Sequence, residues 1–156
     1  MNTGFEVRRA TYGDVDAIAQ ITSEAFVKYA QMAGIDTVAA LTETAEDIKR
    51  DIDSKLVLVA FMDGEPVGSV RVDVDLESQT AYLSRFGVRL NVQNNGIGKS
   101  LINLVDLKMK ELGIRKICLH TAAKVGVLVR FYYGRGFYST TKDKGYIRAF
   151  MCKDYR

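Results

Sequence analysis

The chain has one proline, two cysteines, one histidine and no tryptophan among its 156 residues. With only Pro66 available, turns must come mainly from glycine, asparagine and aspartate, and the 13 glycines supply many of them. Two cysteines are too few for the disulfide framework of a secreted miniprotein. Cys118 and Cys152 both sit in apolar, strand-like stretches, so they read as buried free thiols of a reducing cytoplasm. No His/Cys/carboxylate cluster has metal-ligand spacing, so no metal is implied. No run approaches the ~20 apolar residues that span a bilayer. The longest, residues 56–62, has the length of a strand. Glu6, Arg8 and Arg9 stand where a leader would carry its apolar region, so neither a secretory leader nor a membrane partner is expected. A net charge of +3 is too mild for the dense basic face that nucleic acid requires.

What remains is ordinary globular material. The hydrophobic fraction of 47% and charged fraction of 26% suit a buried core of one domain, residues 1–156, without repeat or linker. Residues 5–8 read as a first strand. Val15, Ile18, Ala19, Thr22, Ala25, Phe26 and Tyr29 recur at helical spacing, giving a helix over residues 14–30 that Gly34 breaks. Thr42 or Thr44 caps a second helix through Ile52, its early acidic residues facing the positive helix end. Residues 55–62 (KLVLVAFM) form a strand buried on both faces, and residues 63–66 turn it back into a strand over residues 67–74. Residues 80–88 (TAYLSRFGV) form a further strand, whose Tyr82, Ser84, Phe86 and Val88 share one face by alternation. A helix over residues 96–112 follows, stopped by Gly113. Then come a strand over residues 116–121 (KICLHT) and a helix over residues 125–133. Two last strands, residues 137–140 and 146–152, are joined by a turn at residues 142–145. This order predicts an α/β domain with a mixed sheet.

The segment Gln93-Asn94-Asn95-Gly96-Ile97-Gly98-Lys99-Ser100 carries the most chemistry. It follows a strand and opens an amphipathic helix, where unpaired backbone N–H groups and the positive dipole end favour an anion. Glycines let a phosphate approach the backbone closely. A Walker A loop would need glycine at Gln93, and a dinucleotide fingerprint would need glycine at Leu101, so both fail. The acyl-CoA pattern Gln/Arg-x-x-Gly-x-Gly/Ala fits Gln93, Gly96 and Gly98.

With its context, this segment resembles the GCN5-related N-acetyltransferase (GNAT) superfamily. The resemblance runs from residue 80 to residue 137. It covers strand, short loop, glycine turn, helix, strand and a helix ending in Tyr132-Tyr133-Gly134-Arg135-Gly136-Phe137. The fold it implies is a mostly antiparallel mixed sheet of roughly six or seven strands with about four helices, splayed between the fourth and fifth strands. The activity it implies is acetyl transfer from acetyl-CoA to a primary amine by direct attack in a ternary complex. Backbone groups of Phe86, Gly87 and Val88 would hold the pantetheine arm like an added strand. The Val88 N–H would stabilise the developing oxyanion. Amides from Gln93, Asn94, Asn95, Gly96, Ile97, Gly98, Lys99 and Ser100 would hold the diphosphate. Tyr132, four residues before Gly136, would protonate the leaving thiolate, whereas Tyr133 should face elsewhere.

The sequence departs from the family at Val125, where many members place a pantetheine-binding asparagine. The general base is less legible. Tyr82 and Ser84 occupy the family's inward positions, and neither is a good base. His120 ends a strand beside the cleft and titrates near neutrality, with Asp73, Asp75 and Glu24 as rivals. The acceptor is read as a small-molecule amine, with a protein amine as its rival. Phe26, Tyr29 and Met32 are candidates to line its site. A homodimer is kept as one reading of the assembly. Two other classes stay open: a non-catalytic CoA-binding sensor or regulatory domain, and a nucleotide-binding module.

Overall fold

The computed structural model describes residues 4–35, 39–92, 96–140 and 148–155. The expected turn at residues 142–145 and the loop residues Gln93, Asn94 and Asn95 lie outside them. The strands are β1 (Phe5–Arg9), β2 (Leu56–Met62), β3 (Glu65–Asp75), β4 (Thr80–Val88), β5 (Lys116–Ala122), β6 (Tyr138–Ser139) and β7 (Arg148–Asp154). The helices are α1 (Val15–Ala33), α2 (Ala45–Ser54), α3 (Ile97–Glu111) and α4 (Gly126–Gly134). All seven strands form one sheet in the order β1-β2-β3-β4-β5-β7-β6. Each neighbouring pair is antiparallel except β4–β5, which is parallel.

Local chemistry explains most boundaries. α1 ends at Gly34 in the left-handed region, φ 71°, as its glycine required. Thr44, rather than Thr42, caps α2 through a reciprocal box with Asp47, whose carboxylate accepts from the Thr44 N–H at 2.8 Å. The β2–β3 turn is tighter than expected. Only Asp63 and Gly64 lie outside the strands, both at positive φ (51° and 84°), so Glu65 and Pro66 already belong to β3. β6 is shorter than residues 137–140, and Phe137 turns into the core instead.

The sheet separates two packed layers. On one face α3 and α4 bury Leu58, Val70, Val72, Leu83, Ile117, Leu119 and Met151 against Leu101, Ile102, Val105 and Met109. On the other, α1 and α2 bury Val57 and Val59 under Ile18 and Ile48. Strands β2 and β3 are therefore covered on both sides, which explains the continuous apolar run of β2.

One expectation is overturned. Cys118 and Cys152 are not free thiols: they stand directly opposite in the β5–β7 ladder, Cα atoms 4.1 Å apart, and are joined as a disulfide. Antiparallel register brings together residues 34 apart in sequence, which spacing alone does not reveal. The bond also removes the argument from free thiols to a reducing compartment. Reducing it should lower the unfolding free energy by about 2–4 kcal/mol, because an unfolded loop of that length regains its freedom. Urea unfolding with and without a dithiol reductant measures this, and an unchanged midpoint would mean the bond contributes nothing.

Candidate active site

The parallel β4–β5 ladder holds only at Thr80, Ala81 and Tyr82, paired with Lys116, Ile117 and Cys118. Beyond Tyr82 the two strands part and the β4–β5 ladder ends. The cause is visible in β4. Its register against β3 shifts between Ser69 and Arg71, and Arg85 adopts φ 52°, in the left-handed region. This is a β-bulge, which bends its strand and increases local twist.

The bulge also reverses the alternation of faces. Ala81 and Leu83 lie in the core under α3, and after the extra residue so do Phe86 and Val88. Tyr82 does not share their side, so the expected common face of Tyr82, Ser84, Phe86 and Val88 is broken at Arg85. Gly87 takes the other face, where a Cβ would lie 2.8 Å from the Ala25 Cβ of α1. Glycine is needed there for helix–sheet packing. The backbone of Phe86, Gly87 and Val88 nonetheless runs along the open seam.

Gly96 caps α3 at φ 77°. The helix therefore starts with the amides of Ile97, Gly98 and Lys99 lacking intrahelical partners. The Ser100 amide donates to the Gly96 carbonyl at 3.0 Å, closing the first turn of the helix. Ile97 is buried and Lys99 exposed. A Cβ on Gly98 would lie 2.9 Å from Phe86 Cζ, so the second glycine lets α3 sit against the bulged strand. Gly96→Ala should cost about 1–2 kcal/mol, the strain of an ordinary side chain in that backbone region. Gly96→Asn should recover most of it. Thermal unfolding of the pair tests this, and equal stabilities would mean that the backbone relaxes.

Tyr132 and Tyr133 separate as helical geometry requires. Tyr132 is 5% exposed and points into the core, while Tyr133 is 52% exposed. The Tyr132 ring lies 6.2 Å from Phe86, 5.4 Å from Phe131 and 5.6 Å from Phe137, centroid to centroid. Burial, and secondarily Tyr29, push its phenol far above the usual range. It is a protonated phenol at neutral pH, able to donate and unable to serve as a resident anion.

His120 stands two residues beyond the last β4–β5 pair. The Tyr82 hydroxyl lies 2.7 Å from its Nδ1. Its ring also packs on Phe150, directly opposite on β7, at 4.7 Å between centroids. Two of the rival carboxylates, Glu24 and Asp75, have structural duties. Glu24 accepts from the Leu90 amide at 3.2 Å. Asp75 accepts from the amides of Glu77 and Ser78, and these bonds hold its carboxyl below the usual range.

A family model, Acetyltransferase (GNAT) family, matches residues 16–137. The chain belongs to the GNAT family. A mycothiol acetyltransferase of Propionibacterium freudenreichii subsp. shermanii is 27% identical over 149 residues. That alignment covers 87% of this chain but 44% of the relative, so the chain spans less than half the length of the curated protein it matches. Among solved structures, PaiA N-acetyltransferase of Thermoplasma acidophilum, crystallised with coenzyme A, is similar at TM-score 0.86 and 22% identity. It covers 98% of this chain and 100% of its own. The ribosomal-protein-S18-alanine N-acetyltransferase of Escherichia coli is similar at TM-score 0.77 and 16% identity, covering 96% and 93%.

Within this GNAT fold, sequence reasoning missed two groupings. Arg71 is fully buried in β3, bonded to Glu43, Asp51 and Thr22. A charge inside the apolar run of residues 67–74 was the available signal. Tyr82 was set aside as a poor base, and no sequence signal pairs it with His120. Val125, at the asparagine position, is 4% exposed and packs with Ala33 and Ala122, so its side chain offers an apolar contact where the family pattern has an amide. Of the acceptor-site candidates, Tyr29 is half-buried and touches that cluster, with Phe26 at 5.6 Å, while Met32 is exposed. Among the described residues no group could hold a metal ion, and no helix is long and apolar enough to cross a membrane.

Proposed function

We propose that this chain is an N-acetyltransferase that takes acetyl-CoA as donor and acetylates a primary amine by direct attack. The observation that carries the reading is the open seam: β4 leaves β5 at Tyr82, bulges at Arg85 and runs on to a glycine-capped helix. A strand that runs on past the end of its ladder suits an extended pantetheine arm, and the start of a long helix suits a diphosphate. The residues present fit such a donor, because glycines at positions 87 and 98 keep α1, α3 and the bulged strand close.

In this reading the backbone of Phe86, Gly87 and Val88 orients the donor. The Val88 N–H faces the thioester oxygen and stabilises negative charge as it develops. The amides of Ile97, Gly98 and Lys99 hold the diphosphate. Tyr132 donates its proton to the departing sulfur, and His120 receives a proton from the amine. Most of the rate comes from holding two reactants together, so no covalent enzyme intermediate is needed.

The acceptor is read as a small-molecule amine, with a protein amine as the rival. The mycothiol enzyme's name favours the former and the S18-alanine enzyme's the latter. The test is release of free thiol from acetyl-CoA across a panel of small amines and N-terminal peptides. Acceleration by any of them supports transfer. A chain that coenzyme A protects against heat but that no amine activates is a sensor, a reading favoured by the buried Val125. Protection by ATP with magnesium and not by coenzyme A would overturn both.

A further inference from the structure

We propose that the Cys118–Cys152 bond is an exchange site for small-molecule thiols, entered at Cys118, and that a thiol held there weakens the grip of the neighbouring seam on the acyl donor. The second half rests on the transferase reading above, whereas the first stands without it.

Tyr82, Cys118, Cys152 and Tyr138 form one register row across β4, β5, β7 and β6. This is the last row in which β4 still pairs with β5, so the disulfide fastens β5 where the seam begins to open. Ile117, Leu119 and Met151 face the core under α3 and α4. Alternation turns Cys118 and Cys152 to the opposite face. There both line an open hollow of about 540 Å³, with Lys116, Tyr138 and Phe150 around it. Cys118 also borders a second hollow, shared with Asp73, Asp75 and Tyr82. Volumes in this range hold small molecules.

The two sulfurs differ in access. Cys118 is half-buried, whereas Cys152 is 2% exposed. Access decides which sulfur of a disulfide is attacked, so Cys118 Sγ takes the incoming thiolate and Cys152 Sγ is expelled. The ladder from Lys116 opposite Asp154 to Ala122 opposite Arg148 keeps β5 against β7 when the bond opens. Free coenzyme A, which the transfer releases, is a thiol of this kind.

The step balances. The thiolate sulfur bonds to Cys118 Sγ as the bond between the two cysteines breaks, and the electron pair leaves on Cys152 Sγ, which takes a proton from water. The incoming thiol is oxidised to the level of a mixed disulfide, and Cys152 is reduced. Return attack by the Cys152 thiolate on Cys118 Sγ expels the small thiol and restores the bond.

An adduct on Cys118 stands beside Tyr82, its partner in the last β4–β5 pair. Bulk there shifts the row from which β4 diverges, so the donor binds the form without the adduct better. Such coupling is reciprocal, and bound donor protects Cys118 from exchange by the same factor.

The experiment compares the full chain with Cys118→Val and Cys152→Val, using glutathione disulfide as the probe and intact mass as the readout. Folded Cys152→Val should gain one glutathione, on Cys118. Cys118→Val should stay unmodified until urea unfolds it. In the unmodified chain a dithiol should open the bond at a rate that urea below the unfolding transition leaves unchanged. Equal reaction of Cys152 in the folded chain, or reduction that only follows unfolding, would overturn the site. Calorimetry then reads the coupling. Cys152→Val carrying glutathione should bind acetyl-CoA about tenfold more weakly than the same variant after a dithiol has removed the adduct. Equal affinities would overturn the coupling and leave the exchange site standing. If acetyl-CoA binds neither form nor the unmodified chain, the donor reading fails and the coupling with it, while the mass readout still judges the site.

Discussion

Replacing Tyr132 by phenylalanine should lower kcat about 100-fold or more, the usual contribution of a positioned general acid, while coenzyme A affinity changes less than twofold. The reason lies in where the ring sits. Tyr132 is held among Phe86, Phe131 and Phe137, so a phenyl ring fits the same place and only the hydroxyl is lost. Burial keeps that hydroxyl protonated through the neutral range, which suits donation to a thiolate. Tyr133→Phe is the control. Its ring is half-exposed on the far side of α4, so turnover should stay unchanged. Thiol release measured beside calorimetric binding of coenzyme A separates chemistry from affinity. Equal losses in both variants would move the acid elsewhere, and a parallel fall in affinity would make Tyr132 a binding residue.

The different facing of these two tyrosines was legible in the sequence, because a 100° step on a helix separates neighbours, and one is buried while the other is half-exposed. The same holds for the glycine turn, where only Gly96 and Gly98 satisfy a phosphate pattern, and for β2, whose unbroken apolar run requires cover on both faces. Such features are local, and each is written within a few residues.

What sequence reasoning missed depends on register. Cys118 and Cys152 read as separate buried thiols because nothing in the intervening segment states that the strands carrying them face each other. The bulge at Arg85 is likewise silent: an arginine at φ 52° breaks the preference of L residues, yet it decides which side chains of β4 look into the seam. Alternation counted through it puts Phe86 on the wrong face. Tyr82 was dismissed on its own chemistry, and its contact with His120 is silent in the sequence.

Glu43→Ala should cost about 3–5 kcal/mol, the penalty for leaving a buried charge partly unpaired. Arg71 has no exposed surface, and its guanidinium donates to both Glu43 oxygens at 2.8 and 2.6 Å and to Asp51 at 2.9 Å. Burial works against the charge, but the bonds to Glu43 and Asp51 outweigh it and hold the guanidinium protonated. Its Nε finds no partner, so the site has no hydrogen bonding to spare. Removing both charges should hurt less than removing one. In Arg71→Met with Glu43→Leu no buried ion is stranded, and Asp51 keeps Lys55 at 3.3 Å. Urea unfolding of the single and double variants checks the order, and a double variant less stable than Glu43→Ala would mean the ions hold the fold by direct attraction. The loss also reaches the seam. Glu43 accepts from Arg85 Nε at 3.3 Å, so one carboxylate ties the segment before α2 to both the buried arginine and the bulge. Glu43→Ala should therefore raise the KM for acetyl-CoA beyond what instability explains. Arg85→Gly, which keeps the backbone region without strain, should raise it less.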